Sequence, residues 1–371
     1  MLLTGCIVAL CLLVSTPASG QTVAQFAPPP PAGGEAAALR SAASTDAARA
    51  AEREERRSGP TLAQRFDEMQ NLQIRDAWAE VNEHLPEITI IASIVLIILL
   101  IATGVMRPGG FKRIGVRDVK PYPFPVWIFA GVIMYLFMPL GADAVSRLPW
   151  LVGDPETEPL RHEAVTLCAG AGAAALVGLC FMYLMARGAK EAGLRVTASD
   201  PFVGLFCFLI ALPLVQAAGF GVAELYARIN AEAPPRIAHD TLATIAENAS
   251  NHWVWLLIFG VVILVPIAEE LVFRLGLQSG LLRMTGSPWI AVLLTSVVFT
   301  LAHVAVIPAG SWHAYAQLFV LSAAIGISYE RTKSIGVPIM MHMLFNGLTI
   351  ALTIGFGDPS IAEGAATARG G

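Results

Sequence analysis

The chain has 371 residues, of which 55% are hydrophobic and only 14% are charged, and its mean hydropathy is +0.63. A composition this apolar excludes an ordinary water-soluble domain of the same size and predicts an all-α, polytopic membrane protein. The net charge of −4 is small and says little about partners, and no basic tail suggests a nucleic-acid partner. The five cysteines have neither CxxC nor metal-ligand spacing, so we interpret them as buried apolar residues.

The N-terminal region divides into three predicted segments. Residues 1–20 predict a secretory signal peptide, with an apolar core at Ile7–Val14, although an uncleaved membrane anchor is the alternative. Residues 21–60 are rich in Ala and Pro, which predicts a flexible linker. Apolar residues recur at helical spacing over 61–86. This predicts an amphipathic helix that lies on the bilayer, packs on a partner or stands in solvent as a stalk.

The rest of the chain alternates apolar runs with polar loops. About eight of these runs are predicted membrane spans, since a span needs about 20 apolar residues. They lie at Ile88–Met106, Phe124–Leu140, Ala164–Ala186, Phe202–Val222, Trp253–Ala268, Trp289–Ile307, Ala316–Tyr329 and Val337–Ile354. We assign 87–250 to N-terminal membrane spans, 251–356 to a C-terminal membrane domain and 357–371 to a flexible tail.

Lysine and arginine are concentrated in alternate loops. By the positive-inside rule these loops are cytoplasmic, and they lie at 107–120, 187–195, 274–283 and 331–333. The N-terminal region and the C-terminal tail are then outside the cytoplasm. With a signal peptide at the N-terminus, this predicts a multi-pass protein of the cell (inner) membrane.

Two adjacent carboxylates, Glu269 and Glu270, follow the fifth run and precede Arg274. Ionisable groups at membrane depth are costly and mark either functional sites or buried ion-pair networks. On a helix, Glu270 and Arg274 are i,i+4 neighbours and should pair. Glu269 is rotated by about 100° from Glu270 and lacks that partner. The spacing therefore leaves Glu269 available as a general base, with a structural ion-pair network as the alternative.

Two more polar motifs interrupt the later runs. Phe299 and His303 form Phe-x-x-x-His in the sixth run, and His342 and Asn346 form His-x-x-x-Asn in the eighth. The i,i+4 spacing places His342 and Asn346 on one helical face. The predicted spans contain no arrangement for a nucleophilic triad, and the chain has no Gly-rich phosphate loop and no His-Glu-x-x-His.

The order Glu-Glu-x-x-x-Arg, Phe-x-x-x-His and His-x-x-x-Asn in apolar helices resembles one family of intramembrane glutamic proteases. This is the CAAX prenyl endopeptidase and bacteriocin-processing (CPBP) family, also called the ABI family. The resemblance covers about Trp253–Gly355. It implies that 251–356 is a catalytic membrane domain, which hydrolyses a peptide bond of a membrane-associated substrate in a cavity among the motif-bearing helices.

The resemblance also implies a role for each motif residue. Glu269 would activate water with the help of His303, while His342 and Asn346 would stabilise the oxyanion. Three further residues would support this catalytic set, namely Glu270, Arg274 and Phe299. The family scheme predicts no cofactor.

One expectation conflicts with these roles. The span boundaries put Glu269 and His342 near the cytoplasmic ends of their helices. His303 would lie about 21 Å into its own span, at about 1.5 Å per residue. A tilted or broken helix, or a later start of the sixth span, would bring the three residues together.

Other functions remain open at this point. Glu269, His303 and His342 form a catalytic zinc set of two histidines and one carboxylate, which would make the chain a zinc-dependent membrane protease. A non-enzymatic membrane scaffold or immunity-type protein would keep the polar cluster for structure alone. A proton-coupled transporter is disfavoured, because the sequence lacks two matching halves with broken helices. The expected partners are the lipid bilayer and a membrane-associated peptide or protein substrate.

Overall fold

The computed structural model describes residues 84–107, 109–111, 115–231, 234–235 and 239–356. The predicted signal peptide, the linker, nearly all of the amphipathic helix and the tail lie outside the described residues, and they stay predictions. The described residues form helices and loops without a β-strand. The predicted fold class, an all-α polytopic bundle, is confirmed.

The helices of the described part correspond to all eight predicted spans. They are α1 His84–Ala102, α2 Phe124–Ser146, α3 Pro149–Val152, α4 Pro159–Gly188, α5 Asp200–Asn230, α6 Asp240–Glu247, α7 Trp253–Thr285, α8 Pro288–Ala302, α9 Trp312–Thr332 and α10 Gly336–Phe356. Six of them, α1, α2, α4, α5, α7 and α10, are long and apolar enough to cross a bilayer, and α8 is a shorter apolar helix.

Helix α7 is longer than predicted. The predicted end at Ala268 is wrong, because the helix continues through the two carboxylates to Thr285. Two stretches of it, Gly260–Leu264 and Leu271–Gln278, are π-helical. The first comes just before Pro266, which has no N–H to donate to the preceding turn, and a wider turn relieves the clash of its ring. Wide turns of this kind often accompany functional sites.

A tight turn joins α7 to α8. Gly286 takes a left-handed conformation with φ of 66° and donates its N–H to the Leu282 carbonyl, which ends α7. The Ser287 side chain accepts the Ile290 N–H, and Pro288 is the first residue of α8. The two helices are therefore antiparallel neighbours connected by two residues.

Helix α2 packs directly against α7. A methyl group on Gly276 would lie 2.8 Å from the Gly131 nitrogen, so the two helix backbones meet where neither residue has a side chain. Around this crossing lies the main core, and its largest fully buried members are Trp127, Tyr329, Phe299 and Met134. The crossing fixes the position of the α7 segment that carries the polar residues.

The start of α10 is anchored by a buried carboxylate. Asp200, the first residue of α5, accepts hydrogen bonds from the Ser334 hydroxyl and the Thr197 N–H, both at 2.7 Å. The Ile335 N–H donates to the Arg195 carbonyl at 3.1 Å. These bonds fix the entry to α10 and hence the position of residues in its first turns.

Candidate active site

The α7–α8 turn brings Glu269 and His303 to the same depth. Glu269 precedes the end of α7 at Thr285 by sixteen residues, and His303 follows the start of α8 at Pro288 by fifteen. In antiparallel helices joined by a short turn, residues equally far from the turn lie side by side. The conflict in depth inferred from the sequence came from ending α7 too early, and the longer helix removes it.

The three motif-bearing helices bring their polar side chains together. A carboxylate oxygen of Glu269 lies 3.9 Å from Nε2 of His303, and its other oxygen lies 3.7 Å from Nε2 of His342. Both contacts are longer than a hydrogen bond. Oε2 of Glu269 is buried and has no hydrogen-bond partner among the described residues. The Glu269 carboxylate therefore faces two imidazoles while keeping hydrogen-bonding capacity for a reacting group.

His303 has a fixed tautomer because of its place at the end of α8. Its Nδ1 lies 2.8 Å from the carbonyl oxygen of Phe299. A carbonyl only accepts, so Nδ1 carries a proton, and Nε2 is the ring nitrogen that faces Glu269. The bond also satisfies one of the carbonyls that a helix C-terminus leaves free.

His342 is held between the two glutamates. Its Nδ1 lies 2.9 Å from Oε1 of Glu270, and its Nε2 faces Glu269. The ring is almost fully buried. The Glu270 carboxylate accepts a hydrogen bond from Nδ1, and this bond orients the imidazole toward Glu269.

Glu270 and Arg274 form the predicted i,i+4 ion pair. Nε of Arg274 donates to Oε2 of Glu270 at 2.8 Å, and both side chains are fully buried. A second nitrogen of Arg274 donates to the Ser322 hydroxyl of α9 at 2.9 Å. Each oxygen of Glu270 thus has its own donor, Arg274 or His342, and the carboxylate is satisfied as a buried anion must be.

Phe299 is the packing partner of both histidines. Its ring is fully buried and lies 4.7 Å from the His303 ring and 5.8 Å from the His342 ring, measured between centroids. Phe273 also packs edge-on with Phe299, and their ring centroids lie 5.0 Å apart. The first residue of the Phe-x-x-x-His motif therefore restricts the movement of both imidazoles.

Asn346 lies next to the cluster and has a backbone partner. Its amide nitrogen donates to the Val261 carbonyl at 2.9 Å, in the first π-helical stretch of α7. Among the described residues no hydrogen bond joins Asn346 to Glu269, His303 or His342. It follows His342 by one turn on the same face of α10, about 6 Å along the axis. One of its two amide protons remains for another acceptor.

Sequence reasoning missed several buried polar residues near the site. Gln278 continues the i,i+4 series of Glu270 and Arg274, and this spacing could have identified it. Others come from distant segments and carry no local signal, namely Arg117, Ser322 and Glu330. Among the described residues, no group of three or more His, Cys, Asp or Glu side chains lies in position to hold a metal ion.

Comparison with known proteins finds a matching family for the residues that carry the site. Residues 251–348 match the family described as type II CAAX prenyl endopeptidase Rce1-like. The C-terminal membrane segment is therefore similar to the Rce1-like family. The match includes all three motifs and confirms the resemblance inferred from them. No curated protein and no solved structure matches the chain.

The Rce1-like family is a protease family, so this segment carries a hydrolase-type domain. The six helices that are long and apolar enough to cross a bilayer make the chain a multi-pass membrane protein. The N-terminal helices α1, α2, α4 and α5 lie outside the matched residues. The described contacts nevertheless join the two parts, since α2 packs on α7 and α5 anchors α10.

Proposed function

We propose that the chain is an intramembrane endopeptidase of the cell (inner) membrane that hydrolyses a peptide bond of a membrane-associated substrate. One observation carries this proposal, which is that the Glu269 carboxylate faces His303 and His342 at 3.9 and 3.7 Å. Each of the three residues comes from a different family motif and a different helix. A carboxylate between two imidazoles within a protease domain is suited to general-base hydrolysis.

In this proposal Glu269 removes a proton from a water molecule, and the resulting oxygen nucleophile attacks the scissile carbonyl carbon. Nε2 of His303, which faces Glu269, orients the same water. When the C–N bond breaks, Glu269 returns the proton to the leaving amine, so the proton balance closes. The 16% exposure of the Glu269 side chain agrees with a base that must reach both water and substrate.

Asn346 and His342 are proposed to stabilise the oxyanion. The second amide proton of Asn346 is available beyond its bond to Val261. Nε2 of His342 remains for the oxyanion, because Nδ1 is bonded to Glu270. Donors of this kind act where charge develops in the transition state and do not require a metal ion.

A trapping experiment tests the proposal. Glu269→Gln keeps the shape of the side chain but removes the base, so membrane proteins that are normally cut should accumulate uncut in cells expressing it. Glu224→Gln is the matched control, because Glu224 is an exposed glutamate on α5, in an ion pair with Arg228. The proposal predicts new protein N-termini with wild type and the control but not with Glu269→Gln. Identical N-termini in all three would refute it and favour a non-enzymatic scaffold.

A zinc-dependent protease is the second candidate; one contact favours it, although Glu269, His303 and His342 are not spaced to hold a metal ion as they stand. Histidines that bind zinc usually donate their other ring N–H to a nearby carboxylate. The Glu270 carboxylate is placed in this way against Nδ1 of His342, and Nε2 of His342 lies beside Glu269. The two mechanisms differ under chelation. The metal-free scheme predicts that purified protein keeps its activity after exhaustive chelation. Stoichiometric zinc that is lost together with activity, and restored with it, would establish the zinc mechanism instead.

A further inference from the structure

A second group of buried charges lies away from the catalytic cluster. Arg117, in the segment before α2, donates to Oε1 of Glu330 at 2.7 Å, and both side chains are fully buried. Arg117 also donates to the Ala192 carbonyl at 2.9 Å and to the Ser279 hydroxyl at 3.0 Å. Its guanidinium lies over the Tyr329 ring, 3.8 Å from the centroid. The residue therefore connects the segment before α2 with α7 and α9.

Gln278 connects this ion pair to Arg274. Its amide nitrogen donates to Oε1 of Glu330 at 2.8 Å and to the Gly326 carbonyl at 3.1 Å. Its amide oxygen accepts from Arg274 at 3.5 Å. Arginine only donates and a carboxylate only accepts, so the amide of Gln278 can point in just one direction.

These bonds complete a buried polar chain that reaches the catalytic cluster. We use this name for the series Arg117, Glu330, Gln278, Arg274, Glu270 and His342. Each link has a defined donor and acceptor, and the last link orients the His342 imidazole toward Glu269. The whole series is inaccessible to solvent or nearly so, which strengthens each polar contact.

The Arg117–Glu330 pair is not arranged for stability alone. Nε of Arg117 and Oε2 of Glu330 are buried and have no hydrogen-bond partner among the described residues. Unsatisfied atoms of this kind are costly, and replacing a buried ion pair by apolar residues is often neutral or stabilising. A pair that helps stability so little fits a role in fixing geometry better than a role in holding the helices together.

We propose that Arg117, Glu330 and Gln278 are positioning residues that fix the His342 imidazole against Glu269 through the buried polar chain. The positioning of the active site then extends beyond the family domain, because Arg117 lies outside residues 251–348. The catalytic meaning of this positioning rests on the proposed function. The orientation of His342 itself does not, and it can be measured without a substrate.

Two variants interrupt the buried polar chain at different links. Gln278→Met removes the connection but leaves the ion pairs on either side intact. The double variant Arg117→Met with Glu330→Met removes the ion pair but lets Gln278 keep its bond to the Gly326 carbonyl. Gln317→Met is the matched control, because it breaks an interhelical bond of 2.9 Å between Gln317 and Gln216, on α9 and α5.

Three measurements are made on each variant in the full chain: the Tm in detergent, the ring-nitrogen NMR signals of His342 in ¹⁵N-histidine-labelled protein, and the new N-termini formed in cells. His342→Gln assigns the His342 signals. We expect both chain-breaking variants to shift the His342 Nδ1 signal and to lower cleavage by about 10–100-fold, while their Tm stays near that of the control. Combining all three substitutions should lower cleavage no further, since all act through one route.

An unchanged His342 signal in both chain-breaking variants would overturn the proposal, whatever their Tm. Loss of cleavage that follows only the loss of folded protein would do the same. If Gln278→Met fails to fold, the double variant carries the test, because it leaves no unpaired charge. Failure of the proposed function looks different, since wild type and Glu269→Gln would then give the same N-termini while the His342 signal still responds.

Discussion

Helix α7 contributes residues to two polar regions, which differ in the distances between their polar atoms. Around Glu269, the side chains of Glu269 and His303 are 16% and 15% exposed, and the imidazole nitrogens stay 3.7–3.9 Å from the carboxylate. Along the buried polar chain, the ion pairs of Glu270 and Glu330 have no exposed surface and contact distances of 2.8 and 2.7 Å. The first region is partly accessible and its carboxylate has no close partner, whereas the ion pairs of the second are closed to solvent and in direct contact.

This difference matches two different roles, since one region contains the reacting group and the other holds the site in place. A base that exchanges protons with water must keep free acceptor capacity, and Oε2 of Glu269 keeps it. The residues that orient His342 against this base must not change partner, so their hydrogen bonds have a single possible direction. The neighbouring glutamates divide these roles, because the helix points Glu269 toward the cluster and Glu270 toward Arg274. Substitutions in the two regions should therefore have different effects.

The largest effect on stability is expected from Arg274→Ala. This change leaves Glu270 as a buried carboxylate without its cation, which should cost about 3–5 kcal/mol. We expect a lower folded yield, a lower Tm in detergent and loss of cleavage together. Thermal unfolding of the purified variant measures the change.

The matched control is Arg228→Ala on α5. Arg228 also pairs with a glutamate at i−4, Glu224, but their side chains are 75% and 63% exposed. Exposed pairs of this kind contribute about 0.2–1 kcal/mol at most. If Arg274→Ala lowers the Tm no more than this control does, the Glu270–Arg274 pair is solvated. The contrast between the buried polar chain and the region around Glu269 then fails.

Asn346→Ala tests whether the reactive region around Glu269 includes Asn346. If Asn346 binds the oxyanion, its loss should lower the rate of the chemical step by about 10²–10³-fold and leave substrate binding nearly unchanged. If its role is only to hold the Val261 carbonyl, the Tm should fall and the remaining folded protein should cleave normally. Asn248→Ala is the control, because Asn248 also donates its amide to a helix carbonyl, that of Thr244, at 2.9 Å.

Local spacing predicted the parts of the site that depend on one helix. The Glu270–Arg274 pair and the shared face of His342 and Asn346 follow from i,i+4 geometry, which tertiary contacts do not change. The fold class followed from apolar composition and run length, because the bilayer demands helices whose backbone bonds are internal. These features required no knowledge of how helices pack.

Other parts could not be predicted, because they depend on packing between distant segments. Arg117 and Glu330 are 213 positions apart, and neither lies in a motif. The depth of His303 relative to Glu269 depended on where α7 ends, and a polar pair at Glu269 looks like the end of a span when its buried partners are unknown. The π-helical turns also carry no periodic sequence signal, although one of them contains the Val261 carbonyl to which Asn346 donates.

The smallest effect on stability is expected from Gly276→Ala. This substitution tests how closely α2 and α7 pack beside the buried polar chain. Gly276 lies between Arg274 and Gln278, and a methyl group there would meet the backbone of Gly131 rather than a flexible side chain. Backbone cannot rotate away, so α2 and α7 must separate, and such overpacking costs about 1–3 kcal/mol. We expect a lower Tm and a partial loss of cleavage, because α7 carries the buried polar chain.

Gly172→Ala, on α4, provides the matched control. A methyl group at Gly172 has nothing within 4 Å, so the same substitution adds no clash. In a helix interior it should even stabilise by up to about 1 kcal/mol, since alanine loses less backbone entropy than glycine. Opposite signs of the change in Tm for the two variants are therefore expected. If Gly276→Ala also raises the Tm, the α2–α7 crossing is looser than described, and close packing no longer explains the contrast between the two regions of α7.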